Sequence, residues 1–138
     1  MMKMRTALIL TLALTASVSA RQQTAPSAAD AWIAEPAAGE TSAAAYMTIS
    51  NPTMYDVYVM SATSSAAEKV ELRQGKGAAA KPVTSITVAA YGSAELKAGE
   101  EHLVLTNLKR PMKAGDTVDL TLKTDGGVNI VVSAVVKK

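Results

Sequence analysis

The chain has 138 residues, 49% of them hydrophobic and only 4% aromatic, with no Cys and no Phe. That length suits one compact domain, and the missing thiols exclude disulfide bracing, thiolate metal sites, a dithiol redox pair and a cysteine nucleophile. Removing Lys3 and Arg5 from the 14 basic residues leaves 12, equal to the 12 acidic residues, all of which follow Ala20; the basic footprint of a nucleic-acid binder is absent.

The opening MMKMRTALILTLALTASVSA has a basic start, a short apolar run and the small residues Val18, Ser19 and Ala20. This is the pattern of a cleavable secretory signal over residues 1–20. The apolar run is too short for a membrane span and no later segment replaces it. Export without cysteines fits a periplasmic location. Residues 21–30, rich in Gln, Ala, Ser and Pro, read as a flexible leader, and residues 31–138 as the folded domain.

From there on the hydrophobic period is two. Ala45, Met47 and Ile49 recur at every second position, as do Val57 and Val59, and Val118, Leu120 and Leu122, which marks half-buried strands. Shorter strand signals fall near Val70, Val83 to Val88, Ala94 to Leu96, Leu103 to Leu105 and Val128 to Val132. Turn residues separate them, most clearly at Lys113 to Asp116 and Thr124 to Gly127. About eight or nine short strands at this spacing predict an all-β sandwich or barrel. The Ala-rich stretch Ser61 to Lys69 is the one place where a helical turn could form. With Trp32, Tyr46, Tyr55, Tyr58 and Tyr91 as the whole aromatic complement, the core must be aliphatic.

Little in the chain suits catalysis. No serine sits in a GxSxG elbow, no phosphate-binding glycine loop is present, and His102 is the one histidine, so no enzyme is expected. For a soft cation the available donors are imidazole and thioether, a pairing that suits Cu(I). Met47 and Met60 sit in strands and read as core residues; Met54 and Met112 lie in or near loops and are the more available pair. His102 shares a strand face with Val104 and Thr106, and by itself reads as a surface or strand-edge imidazole.

The successive segments AAAYMTISNP, SATSSAAEKVELRQ and KPVTSITVAAYGSAELKAGEEHLVLTNLKRPMKAGDTVDLTL resemble the PCu(A)C-type periplasmic copper chaperones, with Ala94 to Leu122 the most specific part. The resemblance implies a cupredoxin-like Greek-key β-sandwich. It also implies copper binding and delivery to a copper-receiving periplasmic or membrane oxidase protein, notably cytochrome c oxidase. The family's ligands are a His in a VELH segment, a downstream Met, and a later His and Met separated by one residue. On that pattern Arg73 stands at the first His, Ala80 at the first Met, His102 at the second His and Val104 at the last Met. The resemblance thus predicts a degraded copper site anchored on His102, and loop placement and thioether chemistry alone offer Met54 or Met112 as the substitute donor. The alternative is a metal-free periplasmic interaction module that keeps the scaffold.

Overall fold

The computed structural model describes residues 25–138; the expected signal segment lies outside the described residues. Ten strands follow one another: β1 (Ser27–Ala34), β2 (Ala43–Ser50), β3 (Val57–Thr63), β4 (Ala67–Gln74), β5 (Lys81–Pro82), β6 (Ile86–Val88), β7 (Ser93–Leu96), β8 (Glu101–Leu108), β9 (Thr117–Thr124) and β10 (Asn129–Lys137). A single 3-10 turn, Gly77–Ala79, interrupts them, and no described residue is α-helical. No helix among the described residues is long and apolar enough to cross a membrane.

The all-β class follows from the alternation. In β9, Val118, Leu120 and Leu122 are buried while Thr117 and Asp119 are exposed, and in β2 Ala43, Ala45, Met47 and Ile49 all point inward. Hydrogen bonding runs β4–β8–β2–β1–β10–β9–β3, and a β3–β4 contact at Ala62 and Val70 closes these seven strands into a barrel. The three short strands hang on its rim, β5 on β4, β6 on β3 and β7 on β2. Every pairing is antiparallel except β1 with β10, which run parallel with Trp32 beside Val135. β1 begins at Ser27, so Ser27 to Asp30, read from composition as leader, is strand; a bulge between Ala29 and Trp32 lets it pair with β2, with Asp30 left-handed at φ 54°.

The interior is filled by Ile, Val, Leu, Met and Ala, with no aromatic side chain among the buried residues described, as side-chain-filled small barrels require. Ser61 to Lys69 is not helical. It is a β3–β4 hairpin whose turn buries Ala66 and Ala67, because small side chains let the strands approach where the barrel closes. Met47 is core at 2% exposure, whereas Met60 is 49% exposed on the outward side of β3.

Candidate functional site

Strands β4, β8, β2 and β1 are neighbours, and their outward residues line up in rows across the sheet. Arg73 on β4 is directly opposite His102 on β8. The β8–β2 ladder pairs Leu103 with Ala45, and one further step sets Tyr46 beside His102, with ring centroids 6.1 Å apart. Tyr46 in turn pairs with Trp32, their rings 4.7 Å apart and tilted by 45°. One row therefore runs Arg73, His102, Tyr46, Trp32 across the sheet. The next row along β8 pairs Val104 with Glu71 on one side and Ala44 on the other.

This surface forms the floor of a cleft of about 900 Å³, lined by Arg73, His102, Val104 and Tyr46 and overhung by Gly75 to Gly77 and by Ala98 and Gly99. The two overhanging loops are tied together where the Gly75 N–H donates to the Glu100 carbonyl at 3.3 Å. Although His102 faces outward, this covering leaves it 6% exposed. Its Nδ1 lies 2.8 Å from the Glu100 carbonyl oxygen. A carbonyl can only accept, so Nδ1 donates to it, and in the neutral ring the lone pair is then on Nε2.

Arg73 is held by Glu71, two residues back on the same face: its Nε and Nη2 donate to Oε2 at 2.8 and 2.5 Å. Lys69 reaches the other oxygen of Glu71 at 3.1 Å. The Arg73 hydrogen bonds, and after them the Lys69 contact, hold the Glu71 carboxyl below its ordinary value. Burial pushes the Tyr46 phenol up, so its hydroxyl remains a neutral donor.

Of the sequence candidates, only His102 lies in this cleft. Met54 sits in the β2–β3 loop with 63% of its surface exposed and does not line the cleft. Met112, expected in an accessible loop, is buried to 4% exposure and faces a separate hollow beside Pro36, Leu108 and Pro111. It follows the far end of β8 and shares its hollow with Leu108, which lies six strand steps, roughly 20 Å along β8, from His102. Ala80 is buried at 8% beside Gly75 and contributes no donor. No group of three or more His, Asp or Glu side chains that could hold a metal occurs among the described residues. The ladder sets the one imidazole beside the permanent cation of Arg73. The sequence reading passed over Tyr46, Lys76 and Glu40, which also line the cleft. For Tyr46 a signal existed, since the inward alternation of Ala45 and Met47 turns it to the face His102 occupies.

A family model described as "Putative lipoprotein LpqE-like" matches residues 27–136. Among solved structures, the chain is similar to the Cu(I) form of DR1885 from Deinococcus radiodurans, with 34% identity over 78% of this chain and 75% of that one and a TM-score of 0.65. It shares its fold with a copper-bound PCuAC domain from PmoF2, at 20% identity over 80% and 90% of the two chains with a TM-score of 0.70. An apo PCuAC domain from PmoF1 gives 20% identity over 78% and 89% with a TM-score of 0.66. No curated protein matches the chain.

Proposed function

Since this chain belongs to the LpqE-like family, we propose that it is an exported, PCuAC-type protein of extracytoplasmic copper handling whose own copper position has been reduced to His102. The single observation that carries this reading is the cross-strand pair Arg73–His102. It occupies the outward face of a fold shared with copper-bound PCuAC domains, where the resemblance sets one family ligand at His102 and another at Arg73. The expected location is the periplasm, after loss of residues 1–20. The finer cupredoxin-like description, a Greek-key sandwich flattened from the closed barrel, belongs to the same reading.

Copper here is cargo. His102 Nε2 offers one nitrogen, and the Arg73 guanidinium opposes any cation placed beside it. Transfer to a copper-receiving oxidase protein would therefore rest on donors that the partner brings. The chain is read as non-enzymatic: His102 spends Nδ1 on a backbone carbonyl, whereas an imidazole general base in a triad is oriented by a carboxylate.

Calorimetric titration with Cu(I) and Cu(II), wild type against His102→Ala, tests this. A weak copper signal that disappears in His102→Ala is expected. No heat above the protein-free control would end the metal reading. That result would favour the second reading, a metal-free interaction module, which the fixed positive charge of Arg73 facing His102 already supports.

A further inference from the structure

The cleft has a chemistry that copper handling does not use. At one end are Arg73, Lys76, His102 and the phenol of Tyr46; at the other are Ser42 and Glu40; between them the floor is Ala44 and Val104. Continuing the β2–β8 register, Ser42 lies four strand residues from Tyr46, a distance of about 13 Å. The trough is therefore polar and cationic at one end, apolar along its length, and of a volume typical of small-molecule sites.

The cationic end has donors to spare. Glu71 takes Arg73 through Nε and one N–H of Nη2, both on a single carboxylate oxygen. The Nη1 amino group is in neither bond, and a guanidinium has five N–H donors. The one negative charge of Glu71 is divided between Arg73 and Lys69, so it does not cancel the pair. Lys76 adds a further positive charge: its stem passes over Gly99, where a Cβ would stand 3.2 Å from Lys76 Cε and 3.3 Å from Cγ. Among the described residues Glu40 is the one carboxylate lining the cleft, and it lies at the opposite end.

We propose that this cleft binds an organic carboxylate with an apolar body of several carbons, its carboxylate held by the Arg73 guanidinium beside His102 and its chain laid over Val104 and Ala44. A guanidinium with a free edge matches a carboxylate in plane and charge. Tyr46 donates from its side of the trough. The site needs no copper, because it uses the same positive charge that repels a metal ion.

Trp32 is the only tryptophan and its ring packs against Tyr46, so its fluorescence reports on the cleft. The test titrates chelator-treated, metal-free protein with hexanoate, acetate, inorganic phosphate and neutral hexanamide, following Trp32 emission and binding heat. Saturable hexanoate binding is expected, with acetate and hexanamide each at least about tenfold weaker. Arg73→Gln weakens hexanoate by about tenfold or more, Arg73→Lys recovers part of the loss, and the exposed Lys76→Gln weakens it severalfold without threatening the fold. Hexanamide binding as tightly as hexanoate, an unchanged Arg73→Gln, or phosphate outcompeting hexanoate would each overturn the proposal. So would no saturable response up to about 10 mM ligand. Copper titrations do not enter these readouts, so the copper reading and this one fail separately.

Discussion

Arg73 faces His102 across the β4–β8 ladder, a guanidinium and an imidazole set side by side on the outward surface of a barrel whose described core residues include no aromatic side chain. Directly opposed residues of an antiparallel pair have Cα atoms about 4.5 to 5.5 Å apart, close enough for two side chains to share one ligand. The charge of Arg73 therefore decides what His102 can do.

If that charge is what excludes copper, exchanging it should restore binding. The double variant Arg73→His with Val104→Met places a second imidazole opposite His102 and a thioether on the same face, two residues along β8. We expect it to bind Cu(I) at least about 100-fold more tightly than wild type, by competition with a chromogenic chelator, since each added soft or nitrogen donor strengthens a Cu(I) site. Affinity equal to wild type would show that the scaffold around His102 cannot converge on a metal.

Asn51 is the polar residue that joins two loops at the rim. It is 1% exposed, and its Nδ2 donates to the carbonyls of Tyr55, Val88 and Ala89 at 2.8, 3.0 and 3.2 Å. Its Oδ1 accepts from the Thr53 N–H and hydroxyl at 3.0 and 2.6 Å. Asn51→Ala strands these partners and should cost about 3 kcal/mol in chemical denaturation. Asn51→Asp should be no better, because a carboxylate cannot donate to the three carbonyls.

Two carboxylates predict the acid limb of stability. Glu71 is lowered by its hydrogen bonds from Arg73 and then Lys69. Asp119 on β9 is lowered first by the hydroxyl of Ser65 and further by that residue's N–H, contacts that tie the β3–β4 turn to β9. Both folded values lie below the unfolded ones, so on acidification the unfolded chain takes up protons first. The stabilisation is complete above the ordinary carboxylate values and disappears as pH falls through the depressed ones. Glu71→Gln and Asp119→Asn should each be less stable than wild type at neutral pH. In urea titrations the difference should close in strong acid, and a gap that persists there would assign it to packing instead of charge.

Gly99 has φ 81°, and an added Cβ would press on the Lys76 stem at 3.2 Å. Gly99→Ala should destabilise by about 1 kcal/mol through the left-handed backbone alone, while Gly115→Ala, at φ 96° with open space around it, isolates that backbone cost. A larger loss at Gly99 in thermal unfolding measures the contact between the loop and Lys76.

Strand faces were legible wherever inward residues were large. Val118, Leu120 and Leu122 are exposed by 1%, 0% and 0%, as their alternation requires. Alanine carries no such signal, because it is the strongest helix former and also small enough for close strand packing, so the composition of Ser61 to Lys69 points to a helical turn where the chain forms a hairpin. Met112 looked available because Pro111 and Lys113 flank it, yet those neighbours are exposed while its own side chain turns inward. The row Trp32, Tyr46, His102, Arg73 joins four strands far apart in sequence, and only the barrel's register brings it together. Of the cleft, the sequence disclosed His102, Arg73 and Val104 through the resemblance. The Lys76 overhang depends on loop geometry that no periodicity records.

The parallel seam between β1 and β10 has a consequence for biogenesis. A chain emerging from the ribosome, or threading a translocation pore from its N-terminus, presents β1 long before the segment that completes its hydrogen bonding exists. Until β10 arrives, one side of β1 is an unsatisfied edge open to a wrong neighbour, and contacts of such long range form slowly. Folding should therefore finish only after the final segment is released, and holdase chaperones should act on the incomplete chain during that interval.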